Sequence, residues 1–324
     1  MPLIAPVRTL RGWVDPLVVL ILSALLLGLL LPARGAAADV LDVLRTAAIV
    51  LLFFLYGARM STGEVRAGLR NWRLQGSMLA ATYVAFPLLG LLVQLLPDAL
   101  VSPEVKTGLL YLSLLPSTVQ ASIVFTSVAR GNVAGAITGA TISNLVGIVL
   151  TPLLVGLLLV RTTGGVGNPA GILLQLLLPF AVGRLVHRWI GPWVRAHARL
   201  TRVADRGSIV LIAYASVSAA TVSGAWAHVT WVAVVVLVAV CAAMLATMLV
   251  LTWTGGGRLG LDRGDRVALL MCGSKKSLAT GLPMAAVLFS PTLAAAVALP
   301  VIVFHQLQLA TCAVLARRLA AQVE

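Results

Sequence analysis

Charged residues are scarce in this chain. Only 10% of its 324 residues are charged, whereas 60% are hydrophobic. This composition lies far outside the range of soluble domains and indicates a protein that crosses a membrane several times. The net charge of +14 does not indicate nucleic-acid binding, because the basic residues fall in short clusters between long apolar runs.

Cysteines and catalytic motifs are also nearly absent. Cys241, Cys272 and Cys312 lie in apolar stretches without a CxxC or histidine-rich spacing. We interpret them as packing residues and expect neither disulfides nor a metal site. The sequence contains no nucleotide-binding loop and no recognisable nucleophile–base motif. We therefore expect no enzyme activity and no cofactor.

Long apolar segments, separated by short turns, make up most of the chain. Each is close to the ~20 residues that cross a bilayer. The segments lie near residues 16–32, 40–57, 74–96, 106–129, 133–158, 169–188, 207–224, 229–253, 265–289 and 293–316. The sequence therefore predicts an all-α integral membrane protein with ten transmembrane helices in one membrane domain, residues 1–324.

Basic residues are distributed unevenly between the two sides of this predicted domain. With ten crossings, one side receives 18 of the 24 basic residues and the other receives four, while Lys275 and Lys276 are the remaining two. Since the basic side is usually cytoplasmic, we expect both termini in the cytoplasm and the protein in the inner or plasma membrane. Arg195, Arg199 and Arg202 recur at a spacing that predicts one short interfacial helix.

Two segments, the fourth and the ninth, are interrupted by polar residues. The fourth breaks at Pro116 and carries Ser117, Thr118, Gln120 and Ser122. The ninth breaks at Gly273, Ser274, Lys275, Lys276 and Ser277, with Thr280 following. Irregular backbone at membrane depth is tolerated only inside protein or beside a water-filled cavity, and paired breaks point to a transporter's binding site. Because each break falls in the fourth of five segments, we predict two inverted five-helix repeats, residues 16–158 and 169–317.

The two adjacent lysines lack an expected counter-charge. All ten acidic residues fall in loops, in tails or near segment ends, so no carboxylate is predicted beside Lys275 or Lys276 at mid-membrane. A buried ammonium then needs carbonyl or hydroxyl oxygens or an anionic ligand, or it loses its proton. We expect one lysine to be structural, as a tethered replacement for a bound cation, and the other to face the solute. The alternative is that both extend to water without a function.

Other polar residues near the breaks have two interpretations each. The hydroxyls after Pro116 either bind solute or replace backbone hydrogen bonds that proline removes. Thr141 and Asn144 are candidates for a cavity wall. The neighbouring stripe of Gly135, Gly139, Ser143 and Gly147 favours close helix packing. Three polar residues of the last segment either serve transport or bond a neighbouring helix: His305, Gln306 and Gln308.

Several motifs resemble those of one transporter family. The string Ala129-Arg130-Gly131-Asn132 after the first break, and Tyr56-Gly57-Ala58-Arg59-Met60 after the second segment, resemble signatures of the bile acid:sodium symporter family. The strings LPSTVQASIVFTSVARGN and CGSKKSLATGLPMA and the Phe304-His305-Gln306 stretch are similar to a divergent branch of that family. The resemblance implies ten spans, inverted repeats, a core with crossed broken helices, and a panel formed by helices one, two, six and seven.

The sodium ligands that the resemblance implies are mostly absent. Only Ser122 matches, whereas Ile123, Ala136, Ala140, Met271 and Lys275 stand at the other ligand positions. We therefore expect weak or no dependence on sodium, although the family takes its name from that ion.

The sequence as a whole predicts a secondary active transporter of a small organic solute, with an anion favoured. Its partners would be the lipid bilayer and that solute, and the sequence does not indicate an oligomeric state. Two alternatives stay open. One is a sodium-independent or proton-coupled carrier, and the other is a non-transporting membrane regulator of ion entry on the same fold. A cavity with room for solute favours transport, whereas a site filled by the two lysines favours the regulator.

Overall fold

The described residues form helices joined by short turns. The computed structural model describes residues 16–59, 71–159, 169–224 and 230–322. In chain order the helices are α1 (Pro16–Leu30), α2 (Ala36–Arg59), α3 (Trp72–Val93), α4 (Pro103–Leu114), α5 (Gln120–Val128), α6 (Val133–Leu158), α7 (Pro169–Leu185), α8 (His187–Ala196), α9 (Ala198–Val222), α10 (Trp231–Arg258), α11 (Arg263–Gly273), α12 (Leu278–Leu288) and α13 (Pro291–Ala321).

Length and composition mark part of this set as membrane-crossing helices. Within the described residues, five helices are long and apolar enough to cross a bilayer: α3, α6, α9, α10 and most of α13. The apolar stretches of α1 and α7 are shorter. Large hydrophobic side chains such as Leu30, Trp231 and Val232 are exposed on the outer surface. A surface of this kind is expected to contact lipid.

Four helices, α1, α2, α7 and α9, pack closely on one another through the pairs α2–α7, α1–α9 and α2–α9. Glycines allow α2 and α7 to approach closely. A Cβ atom on Gly57 would lie 2.1 Å from the carbonyl oxygen of Phe180, and one on Gly183 would lie 2.1 Å from that of Phe54. These four helices correspond to the first, second, sixth and seventh predicted membrane segments, which the family resemblance assigns to the panel.

The remaining long helices surround the two interrupted segments. Helix α4 packs on α3 and α13, α10 packs on α11 and α13, and α6 packs on α3 and α11. The small-residue stripe of α6 lies against α3, since added Cβ atoms on Gly139 and Gly147 would meet Met78 and the hydroxyl of Tyr83. The stripe is therefore a packing surface, as its spacing indicated.

The stretch between α7 and α9 differs from the prediction. Helix α8 ends at Ala196 and α9 begins at Ala198, so Arg195 belongs to one helix while Arg199 and Arg202 belong to the next. The prediction of one short helix containing all three arginines is wrong. The backbone turns at His197, whose φ and ψ are −104° and 42°, and whose ring stacks on Trp193 at 4.4 Å.

Helix α9 also begins earlier than predicted. The sequence placed its start near residue 207, whereas the helix starts at Ala198. Asp205, which the sequence assigned to the connection, thus lies inside a helix, two turns from its start. The first turns of α9 are basic and polar, and an apolar-segment criterion does not recognise them as part of the helix.

Candidate functional site

The two breaks contact each other directly. The backbone N–H of Ser277 donates to the carbonyl oxygen of Pro116 at 2.8 Å. The hydroxyl of Thr118 donates to the carbonyl of Lys276 at 2.8 Å, and that of Ser117 donates to the carbonyl of Cys272 at 2.6 Å. Backbone groups at the breaks that have no partner within a helix thus bond to the other break. We call this contact between the two interrupted segments the crossing. A membrane interior requires such pairing of backbone groups.

Helix α6 holds both breaks from one side. Asn144 donates to the carbonyl oxygen of Ser117 at 2.7 Å and accepts from the hydroxyl of Thr280 at 2.9 Å. The hydroxyl of Ser143 accepts from the N–H of Ser117 at 3.0 Å. One helix therefore fixes the positions of the two breaks relative to each other.

Local sequence explains why the backbone leaves the helix at these points. Leu115 is extended, with ψ of 154°, because a residue before proline is disfavoured in the helical region. After the second break, Ser277 is the N-cap of α12, and its hydroxyl accepts from the N–H of Thr280 at 3.2 Å. Both α5 and α12 therefore start afresh beside the crossing.

Lys276 is fully buried in a cage of backbone oxygens. Its ammonium donates to the carbonyls of Thr82 at 2.8 Å, Ser113 at 2.7 Å and Leu115 at 2.7 Å. The face of the Phe86 ring lies 4.2 Å away. An ammonium has three N–H donors, so each one has a partner. Of the alternatives for neutralising a buried lysine, the structure shows binding to carbonyl oxygens for Lys276.

The carbonyl groups of this cage are available for identifiable reasons. Ser113 lies in the last turn of α4, whose final carbonyls have no partner within the helix. Thr82 lies in a π-helical turn, residues Ala81–Ala85, in which the N–H of Phe86 bonds to Ala81. The next donor in that pattern would be residue 87, but Pro87 has no N–H. The carbonyl of Thr82 is left free for Lys276.

Lys275 has a different environment. It is also fully buried, but its ammonium donates one hydrogen bond in the described structure, to the carbonyl of Ala121 at 3.1 Å. The Phe125 ring lies 4.4 Å from it. The adjacent lysines therefore differ strongly in how well their charge is satisfied.

A cavity of about 730 Å³ lies between the panel helices and the crossing. The first residues of α5 and α12 form part of its wall, including Gln120, Ala121, Leu278 and Ala279. No hydrogen bond in the described residues satisfies the N–H groups of these four residues. Two helix N-termini, which carry free N–H groups and the positive ends of the helix dipoles, thus border one cavity, and this arrangement favours an anion.

The opposite wall adds positive charge. Arg59 comes from the end of α2, and Arg202 and Arg206 come from the start of α9. Among the described residues that line this cavity, Asp205 is the only one with a carboxylate. Arg202 is exposed, so this end of the cavity reaches the surface.

The structure divides the residues predicted from the sequence. Seven of them line the cavity: Thr118, Gln120, Thr141, Asn144, Ser277, Thr280 and His305. Six are buried inside the crossing instead: Ser117, Ser122, Gly273, Ser274, Lys275 and Lys276. Gln306 is half-buried and belongs to neither set. Neither lysine lies on the cavity wall, so the expectation that one faces the solute does not hold in this conformation.

Sequence reasoning did not find the polar residues of the panel wall. Tyr56, Arg59 and Asp205 lie at or near the ends of predicted segments, where ionisable residues usually mark the membrane boundary. Gln308 was noted only as a polar residue of the last helix. Its side chain accepts from the N–H of Lys276 and donates to the carbonyl of the same residue, both at 2.9 Å. It therefore clamps the second break.

The residues at the family's sodium positions do not fit that ion. Ser122 donates its hydroxyl to the carbonyl of Met271 at 2.9 Å. Ala136 and Ala140 are buried against Cys272, and Lys275 brings a competing cation. Within the described residues, no group of three His, Cys, Asp or Glu side chains is placed to hold a metal ion.

These features define a class of protein, a multi-pass α-helical membrane transporter whose two interrupted helices meet beside a cavity. The sequence profile of the SBF-like CPA transporter family matches residues 15–321, and the chain belongs to that family. This assignment confirms the expectation of a transporter family and not an enzyme.

The chain is also similar to individual proteins, two of which have the names of transporters. The chain is 45% identical over 310 residues to protein PA2026 of Pseudomonas aeruginosa, covering 94% of this chain and 93% of that protein. It is 43% identical over 312 residues to Putative symporter YfeH of Escherichia coli, covering 96% and 94%. It is 24% identical over 269 residues to sodium/bile acid cotransporter 7 of Rattus norvegicus, covering 81% and 78%. The motifs indicated a divergent branch of the bile acid:sodium symporter family, and this distant similarity confirms that prediction.

Proposed function

We propose that this protein is a secondary active transporter that carries a small organic anion across the cell membrane by alternating access. The observation that carries the proposal is the shared cavity wall, where two helix N-termini and three arginines face the same space. Free N–H groups and guanidinium groups both bind carboxylates, sulfonates and phosphates.

Two side chains are the best candidates for direct solute contact. Gln120 and Thr141 line the cavity, and neither side chain has a hydrogen-bond partner within the described residues. Thr118, Asn144, Ser277 and Thr280 also line it, but their polar groups already bond the crossing. The first pair would recognise the solute, and the second group would transmit its binding to the breaks.

The two lysines would stabilise the crossing behind the cavity wall and would not contact the solute. The ammonium of Lys276 bonds to the carbonyls of Ser113 and Leu115 at the C-terminal end of α4, where the helix dipole is negative. The ammonium of Lys275 bonds instead to the carbonyl of Ala121 in the first turn of α5. The cavity takes the positive ends of α5 and α12. Since the lysines do not fill the cavity and about 730 Å³ remains, transport is favoured over a non-transporting regulator.

The architecture we propose has ten crossings arranged as two inverted five-helix repeats, with both termini in the cytoplasm. Reciprocal bonding between the two breaks supports equivalent roles for the fourth and ninth segments. Alternating access would move the panel helices α1, α2, α7 and α9 relative to the remainder. The mouth of the cavity near Arg202 would then face the cytoplasm, because that is the basic side.

The test is a counterflow screen of organic anions in proteoliposomes, with either sodium or potassium as the only metal cation. We expect counterflow of at least one anion at equal rates in the two salts, because the sodium positions do not fit that ion. Gln120→Leu and Thr141→Val should each raise the anion concentration for half-maximal counterflow about fivefold, since each removes one hydrogen bond to the solute.

Thr247→Val is the matched control. Thr247 is exposed on α10 and bonds only to its own helix, at the carbonyl of Ala243, so its loss should leave counterflow unchanged. Counterflow that requires sodium would contradict the proposed independence of transport from sodium. A complete absence of counterflow for carboxylates, sulfonates and phosphates would contradict the proposed function.

A further inference from the structure

An ion pair crosses the panel wall of the cavity. Arg59, the last residue of α2, donates from one guanidinium nitrogen to Oδ2 of Asp205 in α9. Its other terminal nitrogen donates to the carbonyl of Thr201 at 3.0 Å. The second carboxylate oxygen of Asp205, Oδ1, is buried without a hydrogen-bond partner in the described structure. The carboxylate is therefore held by Arg59 alone among the side chains around it.

Asp205 faces mostly positive or neutral groups. Helix α9 packs on α1, α2, α8, α12 and α13. The described parts of α1 and α12 carry no ionisable side chain. The ionisable groups that line the cavity with Asp205 are Tyr56 and Arg59 of α2, His305 of α13, and Arg202 and Arg206 of α9 itself. The ring of His187 in α8 lies nearby, 2.6 Å from the carbonyl oxygen of Ala58. Two arginines beyond the ion pair thus leave the wall with a surplus of positive charge.

We propose that Asp205 couples the binding of one proton to the binding of one anion. In the empty cavity the carboxylate of Asp205 neutralises Arg59. A proton from the aqueous side adds to a carboxylate oxygen of Asp205, the ion pair loses its charge attraction, and the acidic group of the solute takes the place on Arg59. No bond other than the new O–H forms, and one positive and one negative charge enter the cavity together.

The geometry supports this exchange in two ways. Arg59 remains anchored to the carbonyl of Thr201 when it releases Asp205, so the guanidinium stays on the cavity wall. The second carboxylate oxygen, Oδ1, has no hydrogen-bond partner in the described structure, so it can take up the proton without displacing another donor. The inference rests on the proposed function, since it takes the cavity as the anion site.

The experiment uses the purified full-length protein in detergent, with benzenesulfonate as the probe. This anion stays ionised at all pH values used, so any pH dependence belongs to the protein. We expect benzenesulfonate to raise the thermal unfolding temperature with an apparent affinity about tenfold higher near pH 5 than near pH 8. In weakly buffered solution near pH 7, binding should take up protons in proportion to the bound anion.

Two variants test whether Asp205 binds the proton and Arg59 binds the anion. Asp205→Asn should bind with the same affinity at both pH values and without proton uptake, because its amide is neutral throughout. Arg59→Gln should lose most of the stabilisation at both pH values. Proton uptake by the unaltered protein provides a second test that does not depend on the folding of either variant.

Three results would overturn the inference: stabilisation of the unaltered protein that is absent near pH 5, binding without proton uptake, or pH dependence that persists in Asp205→Asn. Disappearance of the pH dependence in His305→Gln with its retention in Asp205→Asn would assign the proton to His305 and would equally refute it. Counterflow that proceeds at a pH-independent rate would refute the coupling while leaving the proposed transport function intact.

Discussion

The cage around Lys276 gives the sharpest prediction at the scale of a single residue. Lys276→Met removes three donors from three buried carbonyl groups, those of Thr82, Ser113 and Leu115. Breaking a buried charge arrangement by removing one partner costs about 3–5 kcal/mol, so the thermal unfolding temperature should fall sharply. Lys276→Ala should be rescued in part by propylammonium, which restores the missing carbons and the ammonium. Rescue would be measured as a saturable rise in unfolding temperature.

Lys275 is the matched control for this prediction. Its ammonium has one carbonyl partner at 3.1 Å, and its chain contacts Phe125, against which methionine packs well. Lys275→Met should therefore lose much less stability than Lys276→Met. Equal losses in the two variants, or no response of Lys276→Ala to propylammonium, would show that the carbonyl cage is not a cation site.

At the scale of single residues, the sequence predicted which kinds of partner the buried lysines could have, but not which residues supply them. The lack of nearby carboxylates left carbonyl or hydroxyl oxygens, an anionic ligand or loss of the proton as alternatives, and both ammonium groups bond to carbonyls. The carbonyl of Thr82 is free because of the π-helical turn and Pro87, which belong to a segment far from Lys276 in the chain. Asp205 was missed because its helix begins with basic and polar residues. A contact made by tertiary folding leaves no periodic signal in the sequence around either partner.

Among the helices, the α2–α7 pair is the most sensitive to substitution. Gly57 and Gly183 each lie where a Cβ atom would come within 2.1 Å of a backbone oxygen of the other helix. Gly183→Ala should therefore force the helices apart and lower the thermal unfolding temperature, because neither backbone can move without displacing a whole helix. Gly156→Ala in α6 is the control, since no atom lies within 4 Å of an added Cβ there. It should stabilise the protein slightly, by ~0.5–1 kcal/mol. Similar unfolding temperatures for the two variants would contradict the described packing.

The positions of helices were predicted better than their ends. Each predicted apolar segment overlaps a helix or, at the two breaks, a pair of short helices. Hydrophobic length finds such segments because lipid requires them. It does not locate α8 or the start of α9, where aromatic and basic residues interrupt the apolar pattern. The breaks were found because proline, serine and lysine interrupt an otherwise apolar stretch.

At the scale of the whole molecule, the ends of the interrupted helices separate regions that favour cations from regions that favour anions. The ammonium of Lys276 lies at the C-terminal end of α4 inside the crossing, and the cavity is lined by the N-terminal ends of α5 and α12 together with Arg59, Arg202 and Arg206. A buried cation thus occupies the negative end of α4, and the positive ends of α5 and α12 are left to attract an anion. This separation follows from breaking two helices in the same layer, since each break creates one end of either sign.

Orientation in the membrane gives the last prediction. The ten crossings predicted from the sequence would put most basic residues on the side that includes the start of α9 and the mouth of the cavity, so we expect this side to be cytoplasmic. In a variant with the three buried cysteines replaced, Arg199→Cys, which is at an exposed position, should react with an impermeant maleimide in inside-out vesicles but not in intact cells. Ala99→Cys, exposed in the turn between α3 and α4, should show the reverse. Thr141→Cys on the cavity wall should follow the pattern of Arg199→Cys, because the cavity reaches the surface near Arg202. Labelling of Arg199→Cys in intact cells would invert the topology, and labelling of Thr141→Cys from the side of Ala99→Cys would place the mouth of the cavity on the other face of the membrane.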